Sequence, residues 1–180
     1  MKKGGWEKLS SRIVYKTPWI KVIEDKVIKP DGEKGIYSYL KTNGDSVFVV
    51  PLTDNNEVYL VKLFRYIIGK WSWEIPGGNS DGEDLLKAAK RELKEETGLV
   101  AKSWENVGNF QAMSGVVGEK GHVFIARGLK ETKENKKLEE NIVEIKKVSF
   151  RKALRMIHDN EITDGHSIIT LSKAALFLKI

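Results

Sequence analysis

Apolar and polar positions change their spacing along the chain, and the changes mark out its elements. From Trp6 the first stretch mixes both kinds without a steady period, until Val22, Ile23, Val27 and Ile28 suggest a strand. Pro30-Asp31-Gly32 is a turn signal, and residues 35–42 (GIYSYLKT) read as the returning strand of a hairpin. Asn43-Gly44-Asp45 turns the chain again into residues 46–52 (SVFVVPL), an apolar run suited to a buried strand. Asp54-Asn55-Asn56 leads to residues 57–64 (EVYLVKLF), a further strand rich in β-forming residues.

Past residue 80 the period becomes helical. Leu85, Leu86, Ala89 and Leu93 recur at steps of three and four, giving one apolar stripe. Ser80 and Glu83 match a capping box, which predicts a helix start near Asp81, and Gly98 is a natural left-handed stop. Strands are predicted at residues 103–110, 122–127 and 141–150, then helices at 151–158 and 167–178 around a break at 161–165. Strands, one central helix, more strands and two late helices make an α/β protein.

Composition narrows the chemistry. The 180 residues suit one domain with a proper core, over 1–180, and contain no cysteine, which excludes disulfides, thiolate metal sites and a cysteine nucleophile. No signal-like segment follows Met1 and no apolar run approaches a membrane span, so no membrane role and a cytoplasmic location are expected. The net charge of +6 and pI near 9.3 suit either nucleic acid or a small polyphosphate. The excess is scattered, residues 130–140 mix both signs, and no basic stripe is interleaved with aromatics. The three histidines show no ligand spacing on one face and read as structural.

The helix carries the candidate chemistry. Glu92 and Glu96, four apart, stack on one face with Glu95 at its edge. Like charges so placed cost a few tenths of a kcal/mol per pair, approximately, unless a cation lies between them. Mg²⁺ or Mn²⁺ prefers such carboxylate oxygens. Arg91, four before Glu95, can hold that acid and leave Glu92 and Glu96 for metal. In a chain that is 31% charged a solvated acidic face is the plain alternative. The wider pattern decides against it. From Gly77 to Leu99 the chain reads G-x5-E-x7-R-E-U-x-E-E-x-G-U, U being aliphatic, and meets it at every specified position.

This stretch resembles the Nudix box, the mark of the Nudix hydrolase superfamily. The resemblance implies an α/β/α sandwich with a central mixed sheet, a divalent metal, and ligands at Glu92, Glu96 and a backbone carbonyl near Gly77. Trp71-Ser72-Trp73-Glu74-Ile75-Pro76-Gly77 and Phe64-Arg65 look like the approach to the box in enzymes of the ADP-ribose pyrophosphatase type. There Arg65, Glu74 and Gly78 would meet substrate. Residues 113–121 resemble the loop that supplies a catalytic base or additional metal ligand, here Glu119, with Gly115 where those enzymes carry proline. Glu92, Glu95 and Glu119 are the catalytic candidates, and the choice of base between Glu92 and Glu119 stays open. Residues 1–42 resemble an N-terminal strand extension that pairs subunits, implying a homodimer. The reaction implied is hydrolysis of a nucleoside diphosphate sugar, such as ADP-ribose, to NMP and sugar phosphate. A 5′-RNA pyrophosphohydrolase and a non-catalytic nucleotide-binding module are the alternatives.

Overall fold

A computed structural model of the chain describes residues 2–132 and 134–180; Met1 and Lys133, which fall inside the expected 1–42 and 130–140 segments, lie outside it. The N-terminal part is a separate antiparallel sheet of β1 (Lys2–Lys3), β2 (Trp6–Lys16), β3 (Ile20–Ile28) and β4 (Lys34–Thr42), in that order. The β3–β4 hairpin is where the turn at Pro30-Asp31-Gly32 predicts it. Strand β2 has no counterpart in the sequence pattern. Nearly all of its 11 residues are exposed, and its register shifts twice against β3, so no alternation survives in its sequence.

The rest of the chain runs β5 (Ser46–Pro51), β6 (Glu57–Arg65), β7 (Lys70–Glu74), β8 (Gly77–Asn79), α1 (Leu85–Thr97), β9 (Leu99–Val100), β10 (Ser103–Phe110), β11 (Gly121–Arg127), β12 (Lys130–Glu131), β13 (Ile142–Ser149), α2 (Phe150–His158) and α3 (Gly165–Leu178). One sheet has the order β10-β11-β5-β8, with β11 parallel to β5 and the other pairs antiparallel. A second is β13-β6-β7, and β12 pairs with β9. The short strands β7 and β8 are not among the strands the sequence predicts, because tryptophan, proline and glycine hide any alternation there.

Strand β5 explains the layering. Its side chains alternate, as the pleat requires. Val47 and Val49 pack with Ala88, Ala89 and Leu93 of α1 and with Phe124 and Ala126 of β11. Val50 and Leu52 pack on the other side with Ala153 and Met156 of α2 and Leu171 and Ala174 of α3. The sheet is therefore covered on both faces, as an α/β/α sandwich. No helix among the described residues is long and apolar enough to cross a membrane.

Helix α1 begins later than the capping box predicts. Asp81 (φ 49°) and Gly82 (φ 82°) are both left-handed, which no right-handed helix admits. The Glu83 amide donates to the Ser80 carbonyl at 2.8 Å in a turn, and Asp84 caps the helix by accepting from the Lys87 amide at 3.0 Å. Its end agrees with the sequence: Gly98 is left-handed (φ 73°) and donates to the Lys94 carbonyl.

Candidate active site

Glu92 and Glu96 lie on the buried face of α1, directly against the glycine pair of β8. The Gly77 amide donates to Glu96 Oε2 at 3.0 Å. A Cβ on residue 78 would stand 2.6 Å from Glu92 Oε1, so only glycine leaves that carboxylate its place. Burial pushes the Glu96 carboxyl up to about 8, the neighbouring Glu92 charge adds to it, and the Gly77 amide offsets part. Glu92 is raised for the same first reason, with Arg91 opposing. These are two acids held apart from water with too little positive charge to match them.

The expected division of labour around Arg91 is only partly met. Its guanidinium does hold Glu95, at 3.3 Å, and ties the loop by Glu83 at 3.2 Å and the Asn79 carbonyl at 3.0 Å. It also reaches Glu92 Oε1 at 2.7 Å, because a neighbouring residue on the same turn is within a long side chain's reach. Glu95 is further claimed by Lys136 at 2.7 Å. Burial works against the Glu95 charge, yet Lys136 and Arg91 outweigh it and hold the carboxyl below its ordinary range.

The register sets Arg65, at the end of β6, opposite Lys70 and sets Glu74, at the end of β7, opposite Val61, so Arg65 and Glu74 share one face of the hairpin and the long arginine side chain reaches along it. Their contact is bidentate, 2.9 Å from Nε and 2.5 Å from Nη2. Glu74 is buried while about half of the Arg65 side chain is open. The pair leaves Nη1 of the guanidinium for an anion. The charges of Asp164 and Glu96 are close enough to bear on Arg65.

The loop carrying Glu119 is strapped to the N-terminal sheet. Leu40 of β4 donates to the Val116 carbonyl at 2.8 Å and accepts from the Gly118 amide at 2.9 Å, and Tyr37 Oη donates to the Gly115 carbonyl at 3.1 Å. Glu119 Oε1 accepts from Ser46 Oγ at 3.3 Å, and His166 Nε2 stands 4.0 Å from the same oxygen.

Three residues of this neighbourhood escape a reading of the sequence. Glu140, in the mixed-charge run, lies near enough to raise both Glu92 and Glu96. Asp164 caps α3, accepting from the Ser167 amide at 2.7 Å, and His166 occupies the first turn of that helix. The helix begins at Gly165, two residues earlier than the sequence predicts, and that added stretch carries His166. The structural reading of His166 is thus incomplete, since its ring looks into the cleft.

The donor set suits a hard cation. Glu92 and Glu96 offer carboxylate oxygens in a site whose protein charge is under-compensated, and Glu95 is already paired. Among the described residues no three acidic or histidine side chains converge as a ready-made cage. Two carboxylates completed by backbone, water and phosphate oxygens is the arrangement Mg²⁺ commonly takes.

Comparison with known proteins identifies the family. Residues 42–168 match the NUDIX domain, and residues 6–40 match the nucleoside diphosphate sugar hydrolase N-terminal domain. The chain is 34% identical over 145 residues to the ADP-ribose pyrophosphatase of Bacillus subtilis (strain 168), covering 79% of this chain and 77% of that one. It is 29% identical over 154 residues to the methanol dehydrogenase activator of Bacillus methanolicus, covering 84% and 83%. A crystal structure of an ADP compounds hydrolase superposes with a TM-score of 0.86 over 99% of this chain and 97% of that one, at 19% identity, which bears on the fold alone. With a box complete in sequence, folded as a buried acidic helix face, and a domain match over most of its length, the chain belongs to the Nudix family.

Proposed function

We propose that the chain is a metal-dependent hydrolase of nucleoside diphosphate sugars, ADP-ribose or a related sugar nucleotide, releasing NMP and sugar phosphate. The observation that carries this reading is the pair of buried carboxylates, Glu92 and Glu96, seated on Gly77-Gly78, with Arg65 near enough to feel the Glu96 charge. The names of its relatives support the substrate class.

Glu92 and Glu96, with an oxygen of the Gly77 backbone, would hold Mg²⁺, and Mn²⁺ suits the same donors. Such an ion neutralises diphosphate charge and lowers the pKa of a bound water. Arg65, oriented by Glu74, presents its remaining amino group to a phosphate, a task for which a planar guanidinium is suited. Gly78 allows substrate to approach the backbone closely. Glu119 orients the attacking water and takes its proton on the carboxylate, with Glu92 as the alternative base. Glu95 keeps Arg91 in place over the helix.

We place residues 1–42 as the segment through which two copies assemble, within one Nudix unit of 1–180, working in the cytoplasm. Support comes from Leu9, Ile13, Val14, Tyr15 and Ile36, all exposed on that sheet, and from Trp19, exposed in its β2–β3 turn. An apolar surface of this kind asks for a cover.

The test is a panel assay with Mg²⁺ or Mn²⁺, detecting phosphate that phosphatase can release after hydrolysis. ADP-ribose, ADP-glucose, GDP-mannose, UDP-glucose, nucleoside triphosphates and 5′-triphosphate RNA make the panel, with Glu96→Gln as control. Sugar nucleotides leading and a dead control support the proposal. RNA leading, or a flat panel, overturns it.

A further inference from the structure

The backbone around Glu119 is fixed without help from its side chain. On one side Val116 and Gly118 are hydrogen-bonded to Leu40, and on the other the Ser46 amide donates to the Lys120 carbonyl at 2.8 Å. What remains free is the direction of the carboxylate. Two groups bear on it: Ser46 Oγ at 3.3 Å and His166 Nε2 at 4.0 Å, both towards Oε1. The second gap is about 1 Å longer than an N–H···O bond, a distance that a small side-chain rotation closes.

The imidazole itself is held on three sides. It lies parallel to the Phe48 ring, 4.9 Å between centroids at 17°, and Phe110 packs at 5.9 Å. Its Nδ1 is 3.8 Å from Asp164 Oδ1, and the other oxygen of Asp164 is fixed by capping α3. Phe48 is also the ring behind the box loop, since a Cβ on Gly77 would come within 2.7 Å of it. One aromatic side chain therefore backs both the glycine of the box and the histidine that faces Glu119. Ala112, Met113, Val117, Glu119, Gly121 and His166 line one small cavity, so His166 and Glu119 share a lining.

We infer that His166 is a positioning residue for the hydrolysis: seated on Phe48 with Asp164 beside its Nδ1, it aims the carboxylate of Glu119 through Nε2. The inference rests on the reading of Glu119 as a group that handles the water. His166 touches no reacting atom. It sets which way one carboxylate points.

The test uses the full chain with ADP-ribose and Mg²⁺ and four variants: His166→Phe, His166→Gln, Glu119→Gln, and the double variant His166→Phe/Glu119→Gln. Phenylalanine keeps the stacking and removes the donor; glutamine keeps a donor. Misdirecting a catalytic group costs on the order of tenfold to a hundredfold in rate. His166→Phe is expected to lower kcat by at least about tenfold with KM within about threefold, and glutamine to recover most of the loss. In the Glu119→Gln background the same change is expected to cost less than about twofold, because the two residues act as one unit. Independently of turnover, the His166 imidazole ¹⁵N resonances at fixed pH should move when Glu119 becomes glutamine. If Glu119→Gln is crippled and His166→Phe is silent or multiplies its effect, the inference is overturned and the hydrolase reading stands. If Glu119→Gln turns over normally, the role of Glu119 and this inference fall together. An unmoved imidazole signal also overturns it, whatever the variants' folding.

Discussion

Arg65 and Glu74 are joined along one face of the β6–β7 hairpin by a two-point ion pair, Nε to Oε1 at 2.9 Å and Nη2 to Oε2 at 2.5 Å. Two residues that the sequence assigns to substrate one by one are therefore one device. The buried acid holds the guanidinium flat, and in the function proposed the guanidinium would meet the substrate's phosphate. Lysine keeps the charge and loses the fork. Arg65→Lys is expected to raise KM for the sugar nucleotide about tenfold with kcat within about threefold, the pattern of lost uniform binding. Steady-state kinetics on the leading substrate checks it; an unchanged KM would remove Arg65 from the binding site.

Gly78 tests whether the Glu92 carboxylate needs its present place. A methyl group there would lie 2.6 Å from Oε1, so the carboxylate must move while the fold around it does not. Gly78→Ala is expected to keep its far-UV circular dichroism and lose at least about tenfold in kcat. Full activity in that variant would show that Glu92 works from elsewhere.

The buried acids predict how stability follows pH when divalent ions are chelated. Glu96 has a folded pKa of about 8 against an ordinary 4.5, so between those values the native state keeps a proton that the unfolded chain releases. Its contribution is fully present below about pH 4.5 and is lost as pH rises through 8. Melting temperature in EDTA should therefore fall from pH 5 to pH 8 by more in the intact protein than in Glu96→Gln. Added Mg²⁺ should restore more at pH 8 than at pH 5, since the ion competes with the proton. Parallel pH curves for the two proteins would be fatal to this account.

The exposed N-terminal sheet predicts assembly. In multi-angle light scattering the protein should run at twice the 20.4 kDa of one chain. Leu9→Glu together with Ile13→Glu, on residues that are 51% and 54% exposed, should return it to one chain without changing its helical content. A monomeric intact protein would overturn the role proposed for residues 1–42.

How far the sequence could be read depended on whether a residue's role is local. Leu85, Leu86, Ala89 and Leu93 announce α1 because their spacing is the helix's own, and Gly98 announces its end because only a left-handed residue stops it so. Ser80 misled: its pattern with Glu83 is that of a cap, but Gly82 beyond it turns left-handed and defers the helix to Asp84. Strand β2 left no trace, since a strand exposed along both faces has no reason to alternate. The box acids were legible as a spacing on one element. Asp164, His166 and Glu140 were not, because they join the cleft from elements distant in sequence, and nothing local marks that meeting.

If residues 1–42 pair two copies and Glu119 handles the water, the strap between Leu40 and the Glu119 loop would tie rate to concentration. Strand β4 belongs to the sheet proposed to pair the subunits, and its backbone holds Val116 and Gly118 on the approach to Glu119. Dilution that parts the subunits would slacken that hold, so specific activity should fall as the protein is thinned out. Each active site would then report whether its neighbour is present.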